Sequence, residues 1–145
     1  MKGSFALLVP LAAALCGAAP GEAVQPVSIT VQNLRSMRGD MLVCIARQPR
    51  HFPDCSKDPD QRHFTVRATA GPIPLAALPP GDYAIAIIHD ENGNGKLDTF
   101  AGVPREGVGF SRNPPIRFGA PSFQSARFTI AGSPVRQDVK VKYFL

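Results

Sequence analysis

Helical periodicity is nearly absent from this chain after residue 23, and its fifteen prolines and thirteen glycines leave little room for long helices. No later segment is long and apolar enough to cross a membrane. The chain has no Gly-x-Ser-x-Gly elbow to present a nucleophilic serine, and no glycine loop leading into a helix to cradle phosphate. Cysteine is scarce, with Cys16, Cys44 and Cys55 the whole supply. Acidic residues number eleven against sixteen lysines and arginines, a formal net charge of +5 at pH 7. The arginines, from Arg35 and Arg38 to Arg127 and Arg136, are scattered rather than drawn into a stripe. That spread speaks for a solvated surface and against nucleic-acid binding, with an anionic envelope surface as the alternative partner.

The N-terminal segment reads as a signal peptide covering residues 1–23. Lys2 supplies the positive start, Phe5 to Leu15 an apolar run broken only by Pro10, and small residues follow. Cleavage after Ala23, with glycine at −3 and alanine at −1, is favoured over cleavage near Ala18 or Ala19, where Pro20 follows closely. Residues 13–15 are a poor lipid-attachment box before Cys16, so a soluble product is expected, periplasmic or secreted and monomeric. The domain of residues 24–145 keeps the charge of +5, because Lys2 and Glu22 leave together.

Alternation replaces helical periodicity. Val27, Ile29 and Val31 alternate with polar residues, as do Phe64, Val66 and Ala68, then Phe128 and Ile130, then Val139, Val141 and Tyr143. Each is a half-buried strand with one apolar face. Met41 to Ala46 and Tyr83 to Ile88 are more continuously apolar and read as central strands covered on both sides. Arg38-Gly39-Asp40 suits a hairpin turn between the first two strands, and residues 79–82 a turn into the strand at Tyr83. The expected fold is all-β: a single antiparallel β-sandwich, prealbumin- or Ig-like, of about seven strands. A long irregular loop, residues 100–123, follows the central strand. Its Phe110, Phe118 and Phe123 predict that it is packed down.

With the leader removed, Cys44 and Cys55 remain, eleven positions apart, as natural disulfide partners in an oxidising compartment. Closing a loop of that size contributes about 3 kcal/mol in the chain-entropy model. The alternatives are two free thiols, or a metal pair with His51 that lacks an evident fourth zinc ligand.

Residues 90–98 carry the chemistry. Asp90, Asn92, Asn94 and Asp98 stand at positions 1, 3, 5 and 9 of a loop, Gly95 at position 6, and Lys96 at position 7 can offer its carbonyl. That is the spacing with which a short loop wraps calcium. Four of the ten acids after residue 23 (Asp90, Glu91, Asp98 and Glu106) fall within seventeen positions, a concentration that a cation would relieve. Position 12 is Ala101, where an EF-hand needs a bidentate glutamate, and a strand rather than a helix leads in. The expectation is a calcium-type loop at a strand end, with Glu106 reaching back as the further carboxylate. So few carboxylates imply weak binding, on the order of 0.1–1 mM, in a structural role. Against this stands a plain polar connection, since Asn92-Gly93 and Asn94-Gly95 are turn dipeptides in their own right.

Enzyme readings are poorer. His89 beside Asp90 invites a hydrolase with Ser111 as nucleophile, but no elbow surrounds that serine. His89 reads as a strand end, and His51 and His63 as surface residues rather than zinc or copper ligands. No catalytic residue is assigned.

The run from Leu78-Pro79-Pro80-Gly81-Asp82-Tyr83 into His89–Asp98, then residues 102–111 and Ala120-Pro121-Ser122-Phe123, resembles a bacterial family. It is the one catalogued as domain of unknown function 2141. The resemblance covers essentially all of residues 24–145. It implies a short exported protein of envelope-bearing bacteria and brings no established activity. The Pro-Pro-Gly-Asp-Tyr entry into the strand also resembles transthyretin-like and Cna B-type sandwiches, in architecture only. The expectation is an exported, non-enzymatic sandwich that binds an unknown protein or envelope component. A metal-free small-ligand or envelope-binding module is the alternative, and an uncharacterised hydrolase the third.

Overall fold

A computed structural model describes residues 21–60 and 62–145; the expected leader, up to residue 20, lies outside them. The chain forms an all-β sandwich. Its strands are β1 (Gln25–Gln32), β2 (Asp40–Ala46), β3 (His63–Arg67), β4 (Pro72–Leu78), β5 (Gly81–Asp90), β6 (Thr99–Phe100), β7 (Val103–Pro104), β8 (Gly107–Phe110), β9 (Phe128–Ile130) and β10 (Val135–Lys140). Among the described residues one short α-helix, α1 (Phe123–Ala126), precedes β9, and single 3-10 turns lie at Pro49–His51 and Cys55–Lys57. No described helix is long and apolar enough to span a membrane.

One sheet has the order β10-β1-β4; the other has β3-β2-β5-β8, with β9 added on the first residues of β5. Between the sheets lie Val27, Ile29 and Val31 from β1, Met41, Val43 and Ile45 from β2, and Tyr83, Ile85 and Ile87 from β5. All are essentially removed from water, which places the period-two residues on one inner face as the alternation predicts. The Tyr83 hydroxyl donates to the Pro79 carbonyl at 3.0 Å, so a large inner side chain keeps a polar partner at its tip.

The central strands β2 and β5 are covered on the other face too. Cys44, Ala46, Ala84 and Ala86 point outward into a second cluster with Cys55, Val108, Phe110, Phe123 and Ala126. The two segments without periodicity supply that cover. The Cys44–Cys55 disulfide, with a Cα–Cα distance of 5.5 Å, fastens the first of them to β2. Phe52 from this segment packs edge-on against Phe110 at 5.8 Å and Phe123 at 6.1 Å. Of the phenylalanines in residues 100–123, Phe110 and Phe123 are packed down, whereas Phe118 is fully exposed, contrary to expectation, and Phe100 is exposed as well.

Three further departures have local causes. Residues 33–39 do not make a hairpin, because β1 and β2 belong to different sheets. Gly39 takes φ +72° there, and a side chain on it would strike the Asp90 carbonyl. Strand β4 escapes a period-two reading because its register skips Leu75, turning Ile73 and Leu78 to the same side. Its prolines are tolerated because it lies on a sheet edge. Strand β10 runs parallel to β1 while the other strand pairings are antiparallel. It arrives from the opposite sheet and not through a hairpin, so nothing imposes antiparallel pairing. Beyond it, Lys142 exchanges backbone hydrogen bonds with Val108 at 2.8 and 3.0 Å, tying the C-terminal segment to β8. Gly107 and Gly109 face inward beneath Val139, Val141 and Tyr143, where a larger residue would collide.

A carboxylate and amide loop at the end of the central strand

Strand β5 delivers His89 and Asp90, both buried, to one end of the sandwich. Asp90 sits opposite Asp40 of β2, beneath the Gly39 backbone. Its carboxylate turns back into the following loop, accepting the backbone N–H of Asn94 at 3.1 Å and of Gly95 at 2.7 Å. Gly93 and Gly95 take φ +69° and +77°, so the tight winding falls where glycine carries no steric cost. Asn92 accepts the Asn94 N–H, and Asn94 accepts the Lys96 N–H, each at 3.1 Å. Their amide NH2 groups both donate to one oxygen of Asp98, at 2.7 and 2.8 Å. These bonds hold the Asp98 carboxyl below its ordinary range. Lys96 is exposed and enters through its backbone.

Residues 99–104 form a small hairpin, β6 against β7, closed by the Arg105 N–H donating to the Asp98 carbonyl at 2.9 Å. This hairpin returns the chain so that Glu106 meets Asp98. Glu106 is 5 % exposed, and its Oε2 accepts the Asp98 N–H at 3.1 Å. Its Oε1 is buried and has no hydrogen-bond partner among the described residues. Burial, together with the charges of Asp90 and Asp98, pushes its carboxyl above the usual carboxylate range. Among the described residues no three histidine, cysteine, aspartate or glutamate side chains stand in a ready-made metal-ligating array. The loop is closed on its own amides. The oxygens it could offer a hard cation are those of Asp90, Asp98 and Glu106, with Asn92 and Asn94 after their amides rotate.

Glu91, the fourth acid, faces elsewhere. It accepts from Arg35 at 2.9 and 2.5 Å and from the Ser36 hydroxyl at 2.7 Å. The Arg35 guanidinium holds its carboxyl down at about 2. Arg35 also donates to the carbonyls of Leu145 and Arg105, and its guanidinium lies 4.4 Å from the Tyr143 ring centroid. It thereby joins the loop base to the C-terminal residues.

The residues considered for catalysis are spent on structure. His89 is fully buried, with Nδ1 on the Tyr143 hydroxyl at 2.6 Å and Nε2 on the Arg38 carbonyl at 2.8 Å. The Ser111 hydroxyl accepts the Ile85 N–H at 2.9 Å and donates to the Ala126 carbonyl at 2.5 Å. Neither hydrogen-bonds the other, so no nucleophile–base pair forms. His51 is buried and accepts from the Arg50 guanidinium at 3.0 Å, so it is not the surface residue expected; His63 is exposed.

Beside the loop lies an open cleft of about 500 Å³, lined by Arg38, Glu91, Asn92, Asp98, Thr99, Arg105 and Glu106. Arg38, one of the scattered surface charges of the sequence, meets Arg105 here. Only folding brings them to one cleft, and the one local signal was Arg105 standing directly before Glu106.

The fold and the loop define an all-β sandwich whose central strand ends in an acid- and asparagine-lined turn. The chain belongs to the family of uncharacterized proteins conserved in bacteria, DUF2141, whose model matches residues 29–138. That span runs from within β1 to within β10 and includes the disulfide, the loop and Glu106. The chain has no significant match among curated proteins or among solved structures.

Proposed function

We propose that this is an exported, non-enzymatic binding module of the bacterial cell envelope whose 90–98 loop takes up a calcium ion with the help of Glu106. The observation that carries the reading is the buried Oε1 of Glu106, unpartnered beside Asp90 and Asp98. An unsatisfied buried acceptor costs about 1–3 kcal/mol, and more when charged. A hard cation among the three carboxylates removes that cost. The ion's role is structural, fixing the 99–106 hairpin to the end of β5. Export is supported by the leader-like residues 1–23 and by a disulfide suited to an oxidising compartment.

A calcium titration followed by thermal melting tests the reading. With a dissociation constant near 1 mM, about 10 mM calcium stabilises the folded state by about 1.4 kcal/mol, a rise of several degrees in Tm. The rise is expected to vanish in Asp90→Ala and Asp98→Ala. An unchanged Tm in the unsubstituted protein eliminates the calcium site. The metal-free module is the second reading, favoured by the two asparagine amides that already satisfy Asp98.

A further inference from the structure

The cleft beside the loop has an unusual balance of charge. Glu91 is neutralised by Arg35. The uncompensated groups lining it are the carboxylates of Asp98 and Glu106 and the guanidinium groups of Arg38 and Arg105. Among the described residues, neither guanidinium makes a side-chain hydrogen bond or ion pair, and both side chains are exposed. Two negative charges against two positive leave the metal-free cleft without the positive surplus that would attract an anion. A divalent cation in the loop gives it a surplus of two positive charges. The loop donors do not fill calcium's usual six to eight oxygen positions with fixed carboxylates, so the ion keeps room for an outside oxygen.

We infer that the cleft formed by Arg38, Arg105 and the loaded 90–98 loop binds a phosphate ester in a calcium-dependent manner. This rests on the calcium reading above. A phosphate suits the cleft better than a carboxylate because it offers more than two oxygens to three positive partners, two guanidinium groups and the ion. Guanidinium forks match phosphate oxygens in pairs, and Thr99 on the rim adds a hydroxyl. Glu106, whose buried Oε1 has no hydrogen-bond partner among the described residues, is one of the residues that line this cleft, which sets the acid cluster beside it. The phosphate could belong to a soluble ester or to a phospholipid headgroup; the chemistry of recognition is the same.

The test uses the chain from residue 24 onward, disulfide intact. sn-Glycerol 3-phosphate is titrated calorimetrically with calcium present and with chelator. Sedimentation with phosphatidylglycerol vesicles, against phosphatidylcholine vesicles, supplies the lipid arm. Binding of either phosphate probe is expected to strengthen at least tenfold with calcium, and to fall at least tenfold in Arg38→Gln/Arg105→Gln. The calcium-induced rise in Tm is expected to persist or grow in that variant, because two repelling charges leave the ion's surroundings. Arg112→Gln/Arg117→Gln, which removes the same charge elsewhere, is expected to bind as the unsubstituted protein does. Glycerol phosphate binding without vesicle capture assigns a soluble ester; capture by phosphatidylglycerol alone or with it assigns a headgroup. A normal calcium response with no calcium-dependent phosphate binding overturns the inference and leaves the calcium site standing. Equal losses in both arginine pairs reduce it to nonspecific attraction and also overturn it. No calcium response removes both readings.

Discussion

At the scale of single residues, Glu106 is held where its charge is unwelcome. Its folded carboxyl titrates above its unfolded one, so its ionised form costs stability at neutral pH, and the cost is relieved as pH falls through the folded value. Glu106→Gln keeps an oxygen for the Asp98 N–H and supplies NH2 toward Asp90. In chelator at pH 7 this substitution is therefore expected to raise Tm, while the calcium response disappears. A lower Tm in chelator would show that the carboxylate is already satisfied without an ion. Glu91 has the opposite sign. Its folded pKa, about 2, lies below the ordinary 4.5, so the Arg35 ion pair stabilises fully above pH 4.5 and is lost as pH falls towards 2. Arg35→Gln should therefore narrow its stability deficit across that window, measured by denaturant midpoints at stepped pH. A deficit that stays constant would assign the loss to Arg35's contacts with Tyr143 and the Leu145 and Arg105 carbonyls instead.

At the scale of elements, legibility followed the period-two rule and failed where that rule is locally broken. β1, β3 and β9 were readable because each keeps one parity of apolar residues against one core, and β2 and β5 because they are apolar on both faces. β4 was hidden by Pro72, Pro74 and the bulge at Leu75, and β8 by Gly107 and Gly109, whose missing side chains make room for the C-terminal residues. The loop's ligand-like spacing was visible, and so was the distant carboxylate of Glu106. The Arg38 and Arg105 rim was not, because its members meet only across the fold. The cysteine segment has no period because it forms no strand; its task is to seat Phe52 over Phe110 and Phe123. Replacing Cys44 and Cys55 together by alanine should cost about 2–4 kcal/mol, from loop entropy and from the loosened second cluster. Chemical denaturation measures it. A loss confined to well under about 1 kcal/mol would mean that the segment stays seated on packing alone.

At the scale of the molecule, β5 is the spine. It pairs with β2, β8 and β9, its odd positions fill the inner core, its even positions the outer cluster, and its last residue opens the loop. A rigid strand ending in Asp90 is a fixed anchor, whereas the 99–106 hairpin is tied down by few bonds: Asp98 N–H to Glu106, Arg105 N–H to the Asp98 carbonyl, and the Arg35 guanidinium to the Arg105 carbonyl. Local opening of that hairpin needs no disturbance of the sandwich, so its amides exchange from a low-energy open state. An ion bound among Asp90, Asp98 and Glu106 must be released before the hairpin opens. With calcium near ten times its dissociation constant, exchange at the Asp98 and Arg105 amides is expected to slow by about tenfold. The Ile85 and Ile87 amides in the core should change far less, since their exchange follows global unfolding. Hydrogen exchange read by NMR, with calcium and with chelator, distinguishes this from general tightening. Equal slowing throughout the molecule, or none at Asp98 and Arg105, would break the link between the ion and the hairpin.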